Sequence, residues 1–195
     1  MAAESMPITN PIVLTIAGPN GSGKSTVTNA IPIRGTYVNA DDIKASSGCS
    51  DLAAAQEAEA IREKLLAIGQ DFTFETVLST DRNLDLLRRA KAAGYYVQVV
   101  FLVTASAELN VLRVRMRVSG GGHDVPTESI RRRYQRSLAK LPELRHLADV
   151  LEVYDNSGDR PYMIFRKTDN GESVFPLAYW PELAIKQLVG LTPAW

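Results

Sequence analysis

The sequence holds a single cysteine, Cys49, in 195 residues. A lone thiol excludes an intrachain disulfide framework and any metal site built from several cysteines. It fits a reducing compartment. Net charge is also absent, with 22 Lys and Arg against 22 Asp and Glu. No broad field therefore draws the chain to nucleic acid or to an anionic membrane, which leaves room only for a local basic patch. No apolar run approaches the length that a membrane span needs. Residues 1–10 contain neither Lys nor Arg and no long apolar stretch, so they do not read as a signal peptide. A soluble cytoplasmic protein is expected. The hydrophobic share of 45% and the charged share of 23% are those of an ordinary globular chain. The length suits one domain, over residues 1–195, with a sizeable core.

Short apolar runs alternate with helix-forming stretches. Residues 12–17 are apolar and β-branched and predict a buried strand; residues 24–31 predict a helix ended by Pro32. Strands follow at 36–39, 72–78, 95–103, 150–156 and 162–167. Helices are expected at 51–68, 81–93, 107–118 and 181–189, and a long one runs from a Thr127 cap to about residue 147. Ser119-Gly120-Gly121-Gly122-His123-Asp124-Val125-Pro126 breaks the pattern and predicts a mobile loop. Such alternation implies right-handed crossovers and a mostly parallel central sheet flanked by helices. Ligands in such α/β sheets bind beyond the carboxyl ends of the strands.

The first strand runs into Gly18-Pro19-Asn20-Gly21-Ser22-Gly23-Lys24-Ser25, followed by Thr26. This is a complete P-loop pattern with a strand before it and a helix after it. Its glycines let backbone N–H groups turn inward around phosphates, and the helix start adds partial positive charge. Lys24 is suited to the β- and γ-phosphates of a nucleoside triphosphate, and the Ser25 hydroxyl to Mg²⁺. The fold class is thus α/β of P-loop NTPase or kinase type. A P-loop alone does not separate a kinase from a GTPase, a motor or a switch.

The polar groups after later strands narrow the choice. Val38-Asn39-Ala40-Asp41-Asp42-Ile43 follows the second strand, where a carboxylate can orient an acceptor hydroxyl or accept its proton. Asp41 is the favoured acid; either aspartate can instead cap the next helix. Glu75 lies in Phe72-Thr73-Phe74-Glu75-Thr76, among apolar and aromatic neighbours. A carboxylate there needs a substrate, a metal shell or a salt-bridge partner. Thr76, Ser79 and Thr80 offer hydroxyls to substrate, and capping explains the last two equally well.

Arginines flank the glycine run. Arg113, Arg115 and Arg117 fall on different faces of a helix, and Arg117 is nearest the loop. Ile130-Arg131-Arg132-Arg133-Tyr134-Gln135-Arg136 follows it, with Arg132 and Arg133 each sharing a face with Arg136. A flexible arginine-rich lid over about residues 118–137 would exclude water and carry guanidinium groups to a transferring phosphate. The alternative for residues 131–133 is a solvated helix face or a nucleic-acid patch. His123 is a lid-contact or acid–base residue.

In this order, these clusters resemble the zeta-toxin family of P-loop kinases. The resemblance rests on residues 18–26, 38–43, Phe74-Glu75-Thr76-Val77-Leu78-Ser79, the 117–138 stretch and Val153-Tyr154-Asp155-Asn156-Ser157. It implies ATP- or GTP-dependent phosphorylation of a nucleotide-sugar, UDP-N-acetylglucosamine in characterised members, and a small antitoxin that blocks the nucleotide site. It implies that Lys24 holds phosphate, Ser25 holds Mg²⁺, Asp41 is the base, Glu75 contacts the acceptor and Arg117 contacts the γ-phosphate. A second phosphate-contacting group falls to His123, Arg132 or Arg133. Membrane and nucleic-acid partners are not expected. The competing readings are a kinase for another nucleotide-sugar, an antibiotic or a nucleic-acid end, and a nucleotide-binding switch without an acceptor.

Overall fold

The structure, a computed structural model, describes residues 10–122 and 124–191. In chain order the elements are β1 (Ile12–Ala17), α1 (Lys24–Thr28), β2 (Thr36–Val38), α2 (Ala40–Ser47), α3 (Asp51–Ala67) and β3 (Phe72–Thr76). Then come α4 (Arg82–Ala92), β4 (Tyr96–Val103), α5 (Ala107–Ser119), α6 (Thr127–Leu138), α7 (Leu141–Leu147) and β5 (Val150–Asp155). The last are β6 (Tyr162–Thr168), β7 (Gly171–Val174) and α8 (Glu182–Leu188). No described helix is long and apolar enough to cross a membrane.

One seven-stranded sheet runs in the order β2-β3-β1-β4-β5-β6-β7. The first five strands in that order are parallel, and β6 and β7 add antiparallel at one edge. The six residues between β5 and β6 are too few for a crossover, so that pairing must be antiparallel. β7 and α2 are additional to the elements the sequence pattern predicts. β1 sits between β3 and β4, so the chain reverses its direction of winding at the strand that carries the P-loop. That is the place where a parallel sheet opens a crevice for ligand.

The central strands are apolar because helices cover them. Val13, Ile16, Phe72, Phe74, Val97 and Phe101 are fully buried. The Phe72 and Phe74 rings stack at 6.0 Å, and the buried Arg62 guanidinium lies 5.1 Å from the Phe74 centroid. A second, smaller cluster of Val111, Val114 and Ile130 fastens α6 to α5.

Two expectations are corrected around the lid. The long helix predicted from 127 to 147 is two helices, α6 and α7, and Pro142 sits in the first turn of the second. Proline has no N–H for the preceding turn, so it starts a helix more readily than it continues one. Pro126 occupies the cap position and Thr127 is the first helical residue. The glycine run, expected as a mobile loop, lies between α5 and α6 and its first residues close α5. Gly121 N–H donates to Val118 O at 2.9 Å and Gly122 N–H to Arg117 O at 3.0 Å, around Gly121 at φ 90°. Only a residue at ease in the left-handed region permits that paired closure. A Cβ at Gly122 would lie 2.7 Å from Arg117 Cγ, so the bare glycine also makes room for the arginine. His123 lies outside the described residues.

Candidate functional site

The P-loop is tied down from both sides. Gly18 N–H donates to Thr76 O at 3.1 Å, and Asn156 Nδ2 donates to Ser22 O at 2.8 Å. Gly23 adopts φ 89°, and a Cβ there would meet Asn156 Nδ2 at 2.3 Å. Lys24 Nζ donates to the Gly18 and Pro19 carbonyls at 2.8 and 3.1 Å. Burial pulls the Lys24 pKa down to about 8, Arg117 adds to that pull, and Glu75 and Asp41 oppose it. A cavity of about 380 Å³ opens between residues 23–26, Arg113 and Arg117 of α5, and Asn156, Gly158 and Asp159 after β5.

Glu75 on β3 is held by hydroxyls. Its Oε1 accepts from Thr28 Oγ1 at 2.7 Å and from the Tyr37 hydroxyl at 2.9 Å, and its Oε2 accepts from Ser25 Oγ at 3.3 Å. Tyr37 reaches it because β2 pairs with β3 in a register that sets Tyr37 opposite Thr73, two residues before Glu75 on the same face. Burial, chiefly, raises the Tyr37 pKa well above its usual range, so the phenol stays a donor. Thr76 does not join this group. It is buried, and its Oγ1 accepts from Leu78 N at 2.9 Å and Asn83 Nδ2 at 2.8 Å, which spends the hydroxyl on the turn after β3.

The capping question at Asp41 is answered by its neighbour. Asn39 is the N-cap of α2, and its Oδ1 accepts from Asp41 N at 2.9 Å. Asn39 Nδ2 donates to the Tyr37 hydroxyl at 2.9 Å. The Asp41 carboxylate is therefore not spent on the cap. It lines a cavity of about 350 Å³ together with Asp124, Pro126 and Arg133. Asp42, about 100° further round the helix, lines a separate one with Tyr37 and Ile61.

The arginines of α6 diverge. Arg133 donates to Asn20 Oδ1 in the P-loop at 3.3 Å. Arg132 is exposed and, among the described residues, reaches Ser129 Oγ at 3.4 Å. Arg131 pairs with Glu108 and Glu128. The run is thus neither a basic patch nor a uniformly solvated face. On α5, Arg115 faces the α5–α6 junction, while Arg113 and Arg117 line the P-loop cavity together. The expectation that Arg113, Arg115 and Arg117 fall on different faces, which favoured Arg117 alone, is corrected for Arg113: its spacing of four from Arg117 puts both on one side of α5. The connection after β5 was missed; its place past the carboxyl end of a parallel strand was the available signal.

A parallel sheet with a P-loop after its central strand, a facing carboxylate and arginines from flanking helices defines a P-loop kinase, a phosphotransferase. The family model described as zeta toxin matches residues 36–164. The chain belongs to the zeta toxin family, and the P-loop lies just ahead of the matched span. An uncharacterized protein of Haemophilus influenzae is 26% identical over 123 residues, covering 60% of this chain and 88% of its own. A chain from the PezAT chromosomal toxin–antitoxin system of Streptococcus pneumoniae superposes with a TM-score of 0.60 at 17% identity, over 82% of this chain and 75% of that one. A chain of the AvrRxo1-ORF1:-ORF2 complex superposes with a TM-score of 0.68 at 15% identity, over 91% of this chain and 63% of that one. The protein thus spans less than two thirds of the AvrRxo1 chain. The same complex solved with ATP gives a TM-score of 0.66 at 14% identity, over 85% of this chain and 60% of that one. At these identities the likeness is one of fold.

Proposed function

We propose that this phosphotransferase moves the γ-phosphate of ATP or GTP to a hydroxyl of a small acceptor, with UDP-N-acetylglucosamine as the first candidate. The observation that carries the reading is the placement of Arg133. It donates to Asn20 in the P-loop and lines the cavity that Asp41 lines. A guanidinium in that position spans from the phosphate cradle to the acceptor, where charge develops during transfer.

The roles follow from charge and reach. Lys24 exchanges the Gly18 and Pro19 carbonyls for β- and γ-phosphate oxygens. Asp41 accepts the proton of the acceptor hydroxyl, or holds that hydroxyl in line. Arg117 and Arg133 share the charge of the transferring group. Ser25 Oγ and Glu75 Oε2, 3.3 Å apart, are hard oxygen donors of the kind Mg²⁺ takes. Ser25 would hold the ion and Glu75 would hold its water; bound Mg²⁺ would neutralise phosphate charge. The whole chain acts as one cytoplasmic kinase domain in this reading. A small antitoxin-like protein partner belongs to it too; in support, one relative comes from a toxin–antitoxin system and another is solved as the AvrRxo1-ORF1:-ORF2 complex.

The test is incubation with ATP, Mg²⁺ and UDP-N-acetylglucosamine, followed by mass spectrometry. One added phosphate is expected. An unchanged mass at high enzyme concentration removes that acceptor, and a screen of other sugars and nucleotide-sugars then decides the class.

A further inference from the structure

Asn156 stands behind the P-loop and is itself fastened on both sides. Its backbone N–H donates to Val103 O at 2.9 Å, and its carbonyl accepts from Arg113 Nη1 at 2.6 Å. The next residue is pinned as well. The Ser157 hydroxyl accepts from Ala105 N at 2.7 Å and donates to Asp155 Oδ1 at 2.5 Å, and the Ser157 carbonyl accepts from Arg113 Nη2 at 3.1 Å. The Asn156 side chain is thus presented from a stretch whose backbone is held to β4 and to α5.

That side chain meets the P-loop at one peptide. Asn156 Nδ2 donates to Ser22 O at 2.8 Å. Gly23, at φ 89°, is what lets it approach, since a Cβ there would lie 2.3 Å from the same nitrogen. The Ser22–Gly23 peptide is trans, and in a trans peptide the C=O and the N–H point in opposite directions. With Ser22 O drawn to Asn156, the Gly23 N–H is turned away from Asn156.

We infer that Asn156 is a positioning residue for phosphate, holding the Ser22–Gly23 peptide in the orientation that turns the Gly23 N–H toward the cradle. Only an amide suits the task. A carbonyl accepts and does not donate, so Ser22 O needs an N–H, which an aspartate at the same place would lack. The inference rests on the P-loop reading of residues 18–25 and adds a residue outside that motif which sets one of its peptides.

Nitrogen-15-labelled full-length protein, titrated with Mg²⁺ and tripolyphosphate, tests it. In the wild-type protein the Gly23 amide proton should move downfield as it donates to a phosphate oxygen. In Asn156→Ala that movement should be lost, and affinity by titration calorimetry should fall about tenfold for tripolyphosphate and for ATP alike. Asn156→Asp keeps the volume of the side chain and loses the donor, so it should bind no better than Asn156→Ala. A packing role would make alanine the worse of the two, and that order would overturn the inference. A Gly23 shift of wild-type size in both variants would overturn it too, as would a loss of affinity confined to ATP. If the wild-type protein binds neither ligand, the P-loop reading itself falls and the role of Asn156 falls with it.

Discussion

The Tyr37 hydroxyl donates to Glu75 Oε1 at 2.9 Å while it accepts from Asn39 Nδ2 at 2.9 Å. Asn39 in turn holds the backbone of Asp41. One phenol thereby connects the carboxylate beside Ser25 to the first turn of α2, which carries Asp41. Two halves of the site, carried on β3 and α2, keep one spacing because β2 runs directly into α2 in the chain and pairs with β3 in the sheet. Tyr37→Phe removes the link and retains the ring. A hydrogen bond to a charged acceptor contributes about 1.5–3 kcal/mol, so kcat should fall by about tenfold or more. The ATP dissociation constant should stay within about twofold, since Tyr37 touches no P-loop atom other than through Glu75. An equal change in both constants would mark Tyr37 as a general support of the fold.

Lys24 gives a pH dependence of definite sign. Its pKa in the nucleotide-free protein is about 8, lowered chiefly by burial. Phosphate binds the charged form and raises that pKa, so the complex takes up a proton when it forms above the free value. Affinity for ATP should be flat below about pH 7 and fall as pH rises past 8, by up to about tenfold per unit. Titration calorimetry in buffers of different ionisation enthalpy reads the proton directly. Lys24→Arg, charged throughout, should abolish the slope.

Asp41→Asn separates an enzyme from a switch. The amide keeps the shape and the hydrogen-bonded turn at Asn39, and removes only the basicity. A lost general base costs about 10²–10⁴-fold in kcat. ATP affinity should be unchanged within about twofold. Full function in this variant would favour a nucleotide-dependent switch over a kinase.

What the sequence discloses and what it hides have a common cause. The P-loop is legible because its residues are consecutive and their backbone demands are local. Asp41 is legible because a polar residue just past a parallel strand must lie at the ligand edge. Tyr37 is illegible: its partner Glu75 is 38 residues away, and only the register of β2 against β3 joins them. Arg113 is hidden for the same reason, as the carbonyls it grips follow β5, more than 40 residues on. Thr76 misleads in the opposite direction. A threonine next to Glu75 offers a hydroxyl to substrate on paper, but the turn through Leu78 and Asn83 claims it first. The edge strand β7 carries only the short run Gly-Glu-Ser-Val, too weak a pattern to announce a strand.

Arg132 and Arg133 pose the sharpest test, because composition cannot tell them apart. Successive residues on a helix point about 100° from one another, so two neighbours cannot both face the P-loop. Ile130, buried against Val111 and Val114, fixes the rotation of α6. That rotation turns Arg133 toward Asn20 and leaves Arg132 exposed beside Ser129. Removing one donor from a developing phosphoryl charge costs about 10²–10³-fold in kcat. Arg133→Ala should show that loss, and Arg132→Ala should stay within about twofold. Arg133→Lys should recover little, since a lysine restores the charge without the planar fork. If Arg132→Ala is the slow variant, α6 turns on nucleotide binding, and Ile130 must leave its pocket to permit it.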